Sequence, residues 1–303
     1  MRANAVLLAV LLMVVLAPPA AASFPGRNGL IAVSGDGDTD HDTIWVGRAD
    51  GSGLRALPSP CPPGPIDVLD RCFADAPAWS PDGTRLAFTV IRGSTPQLWV
   101  VNADGSGLRE VPGAHGYSPA WSPSGERLVF SVDAPDAREC HFRDLYTVAA
   151  DGTGLALLVR RGDDPDWSSR GEIAYERQRV HWTGGPASEC EPVHSLAVLR
   201  PGGAPRRVAA GSDPSWAPGG RAIAFVSTGG VRRKQVGASG PGRRLVRRGL
   251  LLYEPGWSPD GRLIVYRRGG RLRLTAASRG RVLPLGFDAP GLDFSSSWQP
   301  LPR

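Results

Sequence analysis

Pro77-Ala78-Trp79-Ser80-Pro81-Asp82-Gly83-Thr84-Arg85-Leu86-Ala87-Phe88 is the stretch that decides how the rest of the chain is read. Its first seven residues return as Pro119-Ala120-Trp121-Ser122-Pro123-Ser124-Gly125, as Pro165-Asp166-Trp167-Ser168-Ser169-Arg170-Gly171, as Pro214-Ser215-Trp216-Ala217-Pro218-Gly219-Gly220 and as Pro255-Gly256-Trp257-Ser258-Pro259-Asp260-Gly261. The tryptophans step by 42, 46, 49 and 41 residues, and Trp298 follows after another 41. A period of about 40 to 45 residues that holds four strand-sized pieces is the signature of a β-propeller blade.

The chemistry inside each repeat agrees. In Ser-Pro-Asp-Gly the proline presets φ, the aspartate bonds its own backbone and the glycine takes the left-handed conformation, so the phrase closes a hairpin. Short β-rich runs follow it: Leu86 to Val90, Leu128 to Ser131, Ile173 to Tyr175, Ile223 to Val226 and Leu263 to Tyr266. A third strand and a second turn come next, as in Leu98-Trp99-Val100-Val101-Asn102-Ala103-Asp104-Gly105-Ser106-Gly107. No sustained 3.6-residue apolar period is present, so helices are not expected. Each repeat tryptophan should end the innermost strand and fill the wedge between blades. Phe24 to Val33 matches a turn and second strand with no tryptophan ahead of it, while Ser297-Trp298-Gln299-Pro300 supplies a first strand with nothing after it. Joined, the two ends complete one blade. The expected fold is therefore an all-β, six-bladed β-propeller in which the C-terminal strand completes the first blade and leaves no open edge.

The phrases Ala78 to Phe88 and Val101 to Gly107 resemble the repeats of the TolB-like propeller family, and the resemblance extends over residues 23–303. It is to the propeller only, without the N-terminal α/β domain of TolB. What it implies is a periplasmic or extracellular location and a role in protein binding. The same propeller fold accompanies a hydrolase domain in prolyl-oligopeptidase-like peptidases.

The N-terminus fits export. Met1-Arg2, an apolar run from Ala5 to Ala17, Pro18-Pro19 and Ala20-Ala21-Ala22 follow the order of a secretory signal peptide, read as residues 1–22. The run is shorter than the ~20 residues needed to span a bilayer, so no transmembrane segment is expected. Charge is lopsided: residues 1–200 hold 17 Lys+Arg against 24 Asp+Glu, whereas 201–303 hold 18 against 5. Arginine clusters such as Arg232-Arg233-Lys234, Arg243-Arg244, Arg247-Arg248 and Arg267-Arg268 suit an anionic envelope polymer. They lack the aromatic platforms of a nucleic-acid binder, and no nucleic-acid partner is expected. The chain is expected to be a monomer.

Strand order sorts the connections onto two faces. Short repeat turns share one; the long irregular loops expected at Ser34 to Thr43, Pro58 to Ala76, Val132 to Arg143 and Glu176 to His194 share the other, with every cysteine and histidine. Loops on a rigid scaffold are the usual place for binding, which makes Asp38, His115, His141 and His194 the candidate binding residues. Asp36, Asp38, Asp40 and Asp42 alternate as a Ca²⁺ loop can, but lack the glycine and bidentate glutamate of an EF-hand; a solvated acidic loop is the other reading. Four cysteines in an exported chain point to disulfides, simplest as Cys61 with Cys72 and Cys140 with Cys190. Zinc held by Cys140, His141, Cys190 and His194 is the alternative for the second pair. Gly116-Tyr117-Ser118-Pro119-Ala120 fails the nucleophile-elbow pattern at its last position. The function expected is a scaffold that binds a protein or an envelope polymer, without a cofactor. The alternative is an exported peptidase-type or glycan lyase or hydrolase-type enzyme using the loop-face pocket, and a purely structural role is a third reading.

Overall fold

The computed structural model describes residues 24–35, 43–61, 72–135, 142–182, 190–228, 230–247, 252–269, 271–278, 280, 282–283, 285 and 295–302, with the side chains of 180–193 and 252–253 left out of the description. Among the described residues there are 24 strands and no helix. The strands form six four-stranded antiparallel sheets, each a blade. Blade 1 takes its innermost strand, Ser296–Leu301, from the C-terminus and the next, Arg27–Gly35, from the N-terminus. Ile31 pairs with Trp298, Ala32 with Ser297 and Val33 with Ser296, which is the closure expected from the two half-repeats. The innermost strands of blades 2 to 6 are Cys72–Trp79, Tyr117–Trp121, Gly162–Trp167, Ser212–Trp216 and Leu252–Trp257.

The ring is locked by side chains as well as by pairing. The buried Gln299 donates from Nε2 to the Gly83 carbonyl of blade 2 at 2.8 Å and accepts from the Leu30 amide through Oε1 at 3.0 Å. Gly83 sits at φ 69° in a repeat turn, and a Cβ there would lie 2.1 Å from the Pro300 carbonyl oxygen. Only glycine meets both demands. In that turn Ser80 Oγ donates to Asp82 Oδ1 at 2.6 Å, and the Thr84 amide donates to the same oxygen at 3.0 Å. Ser258, Asp260 and Arg262 repeat the arrangement in blade 6. These residues are committed to building turns.

Apolar strand faces pack between neighbouring blades, and Trp79, Trp121, Trp216, Trp257 and Trp298 are buried there, as the wedge reading requires; Trp167 is half-buried. Trp121 Nε1 also donates across the blade boundary to the Ala78 carbonyl at 3.0 Å.

One expectation is corrected. The segment Glu176 to His194 is not an irregular loop, because strands Ile173–Trp182 and Cys190–Leu199 of blade 4 stay in register from Ile173 opposite Leu199 to Trp182 opposite Cys190. Tyr175, Val180, Trp182 and Val193 favour extended backbone, and the hairpin outgrows the other blades. Glu176 and His194 are thus strand residues. The segment Pro58 to Ala76 is shortened likewise, since its last residues join the innermost strand of blade 2 at Cys72.

Candidate functional site

Five innermost strands carry an extra residue at the same place. The register shifts between Asp75 and Ala78, Tyr117 and Ala120, Asp163 and Asp166, Ser212 and Ser215, and Tyr253 and Gly256. Within each bulge one non-glycine residue takes a left-handed backbone: Ala76 at φ 52°, Ser118 at 49°, Asp164 at 44°, Asp213 at 49° and Glu254 at 51°. Such residues cost about 1–3 kcal/mol each and persist where the surroundings hold them in place. All five, with Ser295 of blade 1, stand three residues before the repeat tryptophan and line a single axial cavity of about 210 Å³. Phe24, Pro259 and the tryptophans of blades 2 to 4, 6 and 1 line it further toward the turn face.

The ring of side chains is chemically divided. Blades 1 to 3 contribute Ser295, Ala76 and Ser118, whereas blades 4 to 6 contribute Asp164, Asp213 and Glu254. Ser118 Oγ donates to Asp164 Oδ1 at 2.9 Å, and Ser212 Oγ donates to Asp213 Oδ2 at 2.7 Å. Glu254 Oε2 is shut off from solvent and has no hydrogen-bond partner. Burial pushes its carboxyl up to about 8, reinforced by the charges of Asp75 and Asp213 and opposed by Arg267. Burial, with Asp163, Asp213 and Glu176 nearby, lifts Asp164 well above the ordinary carboxylate range against the Ser118 hydrogen bond. Asp213 is raised by burial, then lowered in part by its Ser212 bond, with Asp163 and His194 acting in opposite directions.

Carboxylates just outside the arc are better served. Asp163 accepts Arg143 Nη1 at 3.1 and 3.2 Å and the Asp164 amide at 2.9 Å. Arg143 lies over the Tyr117 ring, 4.0 Å from its centroid. Glu176 Oε1 meets His194 Nδ1, and burial raises Glu176 against the pull of that histidine. Asp75 Oδ1 accepts Ser34 Oγ at 2.7 Å, the Ala76 amide at 2.6 Å and Ser295 Oγ.

Of the residues singled out in the sequence, His194 therefore stands beside the acidic arc through Glu176, with its ring partly exposed. His115 is exposed in the connection ahead of Tyr117–Trp121 and is not among the cavity-lining residues. Asp36, Asp38, Asp40, Asp42, Cys140 and His141 lie outside the described residues, as does the side chain of Cys190, so the second cysteine pair and its zinc alternative are not placed. Cys61 and Cys72 form a disulfide with Cα atoms 5.4 Å apart. Among the described residues no three His, Cys, Asp or Glu side chains are grouped as metal ligands. The left-handed backbone of Ser118 is shared by four other blades and so carries no mark of a nucleophile; no histidine is among the cavity-lining residues.

Asp164, Asp213 and Glu254 escape the sequence reading although a signal for them exists. They immediately precede the proline at which the repeated phrase was taken to begin, and the same position reads Ala, Ser, Asp, Asp and Glu in blades 2 to 6.

No protein-family profile matches the chain. A stretch of 33 residues is 58% identical to the Tol-Pal system protein TolB of Anaeromyxobacter dehalogenans strain 2CP-C, covering 11% of this chain and 8% of that protein. Strain 2CP-1 gives 54% over 33 residues with the same coverage, so the chain matches only a small part of these curated relatives. Among solved structures, TolB from Acinetobacter baumannii superposes with a TM-score of 0.69 at 16% identity, over 90% of this chain and 67% of that one. The fold is that of a TolB-like propeller. A nidogen/laminin complex chain shares it with a TM-score of 0.65 at 11% identity, over 90% of this chain and 99% of that one. Tricorn protease gives 0.55 at 18% identity, over 85% of this chain and 26% of that one. At these identities the likeness is one of fold. No helix among the described residues is long and apolar enough to cross a membrane.

Proposed function

We propose that the protein is an exported, TolB-like binding scaffold that receives a segment of a partner protein at its axial cavity. The observation that carries this reading is the ring itself: one backbone position repeated around the axis, with side chains that change from blade to blade while the turn-forming residues repeat. A fold that needed only a filled axis would have no use for three half-buried carboxylates there, one of them with an oxygen that has no hydrogen-bond partner. The signal-peptide pattern of residues 1–22 and the Cys61–Cys72 disulfide support an oxidising compartment outside the cytoplasm. TolB and a nidogen/laminin complex among the structural neighbours support protein binding.

The test is crosslinking capture from an envelope extract with the wild-type chain and with Ala76→Arg, which fills the ring from its uncharged side. Capture of a defined partner by the wild type and its loss in Ala76→Arg is the expected result; capture by both places the interface elsewhere.

A second reading has its own observation. Between blades 5 and 6 a separate cleft of about 660 Å³ is lined by Arg232, Arg244, Arg247 and Arg268, a surface suited to an anionic envelope polymer. The same extract resolves it, since polymer retention would fall steeply with salt and be indifferent to Ala76→Arg.

A further inference from the structure

We infer that the axial cavity is a receptor for one organic cation, the ammonium or guanidinium end of a partner's lysine or arginine, seated on the arc of Asp164, Asp213 and Glu254. The inference rests on the axial reading above and gives it a chemistry.

Four observations converge. The three acids come from three successive blades at one ring position, so their side chains enter one cavity from adjoining directions. Glu254 lines that cavity, and its Oε2, without a hydrogen-bond partner and out of contact with solvent, is an acceptor left unserved at a cost in free energy. The acids around the arc have their own donors already: Arg143 on Asp163, His194 beside Glu176, and Ser34, Ser295 and the Ala76 amide on Asp75. At the arc burial favours the protonated carboxyls over the charged ones, and an arriving cation reverses that preference as Arg267 does in part for Glu254. Opposite it Ala76 and Ser118 are small, and a cavity of about 210 Å³ has room for the end of a side chain rather than a folded loop.

The walls fit the same ligand. Trp121, Trp167 and Trp257 line the cavity beyond the ring and offer apolar surface against which the methylene stem of such a side chain can pack. A bare divalent ion fits less well. It wants six or more oxygens within bonding distance, and no group of three such ligands is gathered among the described residues. A guanidinium or ammonium spreads its donors over several ångströms and can serve separate carboxylates.

The experiment uses the full exported chain and four capped pentapeptides, Gly-Gly-X-Gly-Gly, with X as lysine, arginine, norleucine or glutamate. Tryptophan fluorescence reads the cavity directly, and calorimetry gives affinity. The lysine and arginine peptides are expected to bind at least about tenfold more tightly than the norleucine peptide, and the glutamate peptide not at all. The double variant Asp213→Asn/Glu254→Gln should lose that preference, while Asp82→Asn in a repeat turn should keep it. Because Asn and Gln preserve shape and remove like charge, a correctly folded double variant is expected, and circular dichroism verifies it. Equal binding of norleucine and lysine, or preference for glutamate, overturns the inference. So does a calcium chloride response with no lysine response. If the cationic peptides fail but Ala76→Arg still abolishes partner capture, the axial site stands and only its chemistry is wrong; if Ala76→Arg captures normally, the axial reading itself fails.

Discussion

Asp75 and Glu254 are carboxylates on the innermost strands of blades 2 and 6, on either side of blade 1, near enough that the charge of Asp75 raises the proton affinity of Glu254. Their treatment by the fold is opposite. Asp75 accepts two hydroxyls that tie blade 1 to blade 2, and the Ala76 amide of its own strand, so it works as a clamp. Glu254 leaves an oxygen unsatisfied beside a cavity. The same division runs around the whole ring, with Ser295, Ala76 and Ser118 on one side and Asp164, Asp213 and Glu254 on the other. The bulge that presents these residues recurs in blades 2 to 6, so backbone geometry does not choose between alanine and aspartate there. The choice is free to serve a ligand.

The largest way to break this comparison is to open the ring. Deleting residues 296–303 removes the strand paired to Arg27–Gly35, the Gln299 bonds to Gly83 and Leu30, and Trp298 from its cluster with Ile31 and Val33. Loss of the tryptophan alone is worth about 3–5 kcal/mol. The melting temperature should fall by at least about 10 °C, with both halves of the ring affected together. A truncated chain that melts like the full one would show that closure is dispensable and that the two arcs need not share a frame.

How far all this was legible in the sequence follows from the physics of each part. The blades were, because Ser-Pro-Asp-Gly has one good conformation and tryptophan one good place. The closure was, because half-repeats at both ends have to meet. The acidic arc was not, since strand parity cannot be counted across a bulge: an extra residue between Asp163 and Asp166, or Tyr253 and Gly256, reverses which side chains face the axis. The histidines stood out by their place on the loop face, yet His115 is not among the cavity-lining residues and His194 meets the arc only through Glu176. The long blade 4 hairpin was hidden by charged and polar residues between its β-formers.

A medium effect sharpens the comparison through pH. The folded-state proton affinity of Glu254 is raised, from 4.5 to about 8. Between those values the native state holds a proton that the unfolded state has released, so raising pH favours unfolding. Stability should therefore be greatest below about pH 4.5 as far as this group is concerned and decline towards pH 8 by up to about 1.4 kcal/mol per unit. Asp164, Asp213 and Glu176 are shifted the same way and add to the decline. The groups facing Glu254 are Asp75, Asp213 and Arg267, so its own part of the slope is isolated by Glu254→Gln. Urea titrations at several pH values should give a shallower decline for that variant and greater stability than wild type near pH 8. An unchanged slope would mean that the glutamate is not buried as described.

The smallest effect tests the clamp. Ser295→Ala removes one of the three donors on Asp75 Oδ1, and hydrogen bonds to charged acceptors are worth about 1.5–3 kcal/mol each when made alone. Ser34 Oγ and the Ala76 amide remain on the same oxygen, so the expected loss is nearer 1 kcal/mol, a fall in melting temperature of about 2–4 °C. Ser34→Ala should cost a similar amount. The two hydroxyls also lie 3.0 Å apart and share one acceptor, so their effects should not add. With both gone, Asp75 keeps only a backbone amide and becomes an under-served acid like Glu254. The double variant should then lose more than the sum of the singles, measured by the same urea titrations. Simple additivity would show that the two hydroxyls act independently and that Asp75 is held by backbone and solvent, which would remove the contrast between clamp and arc.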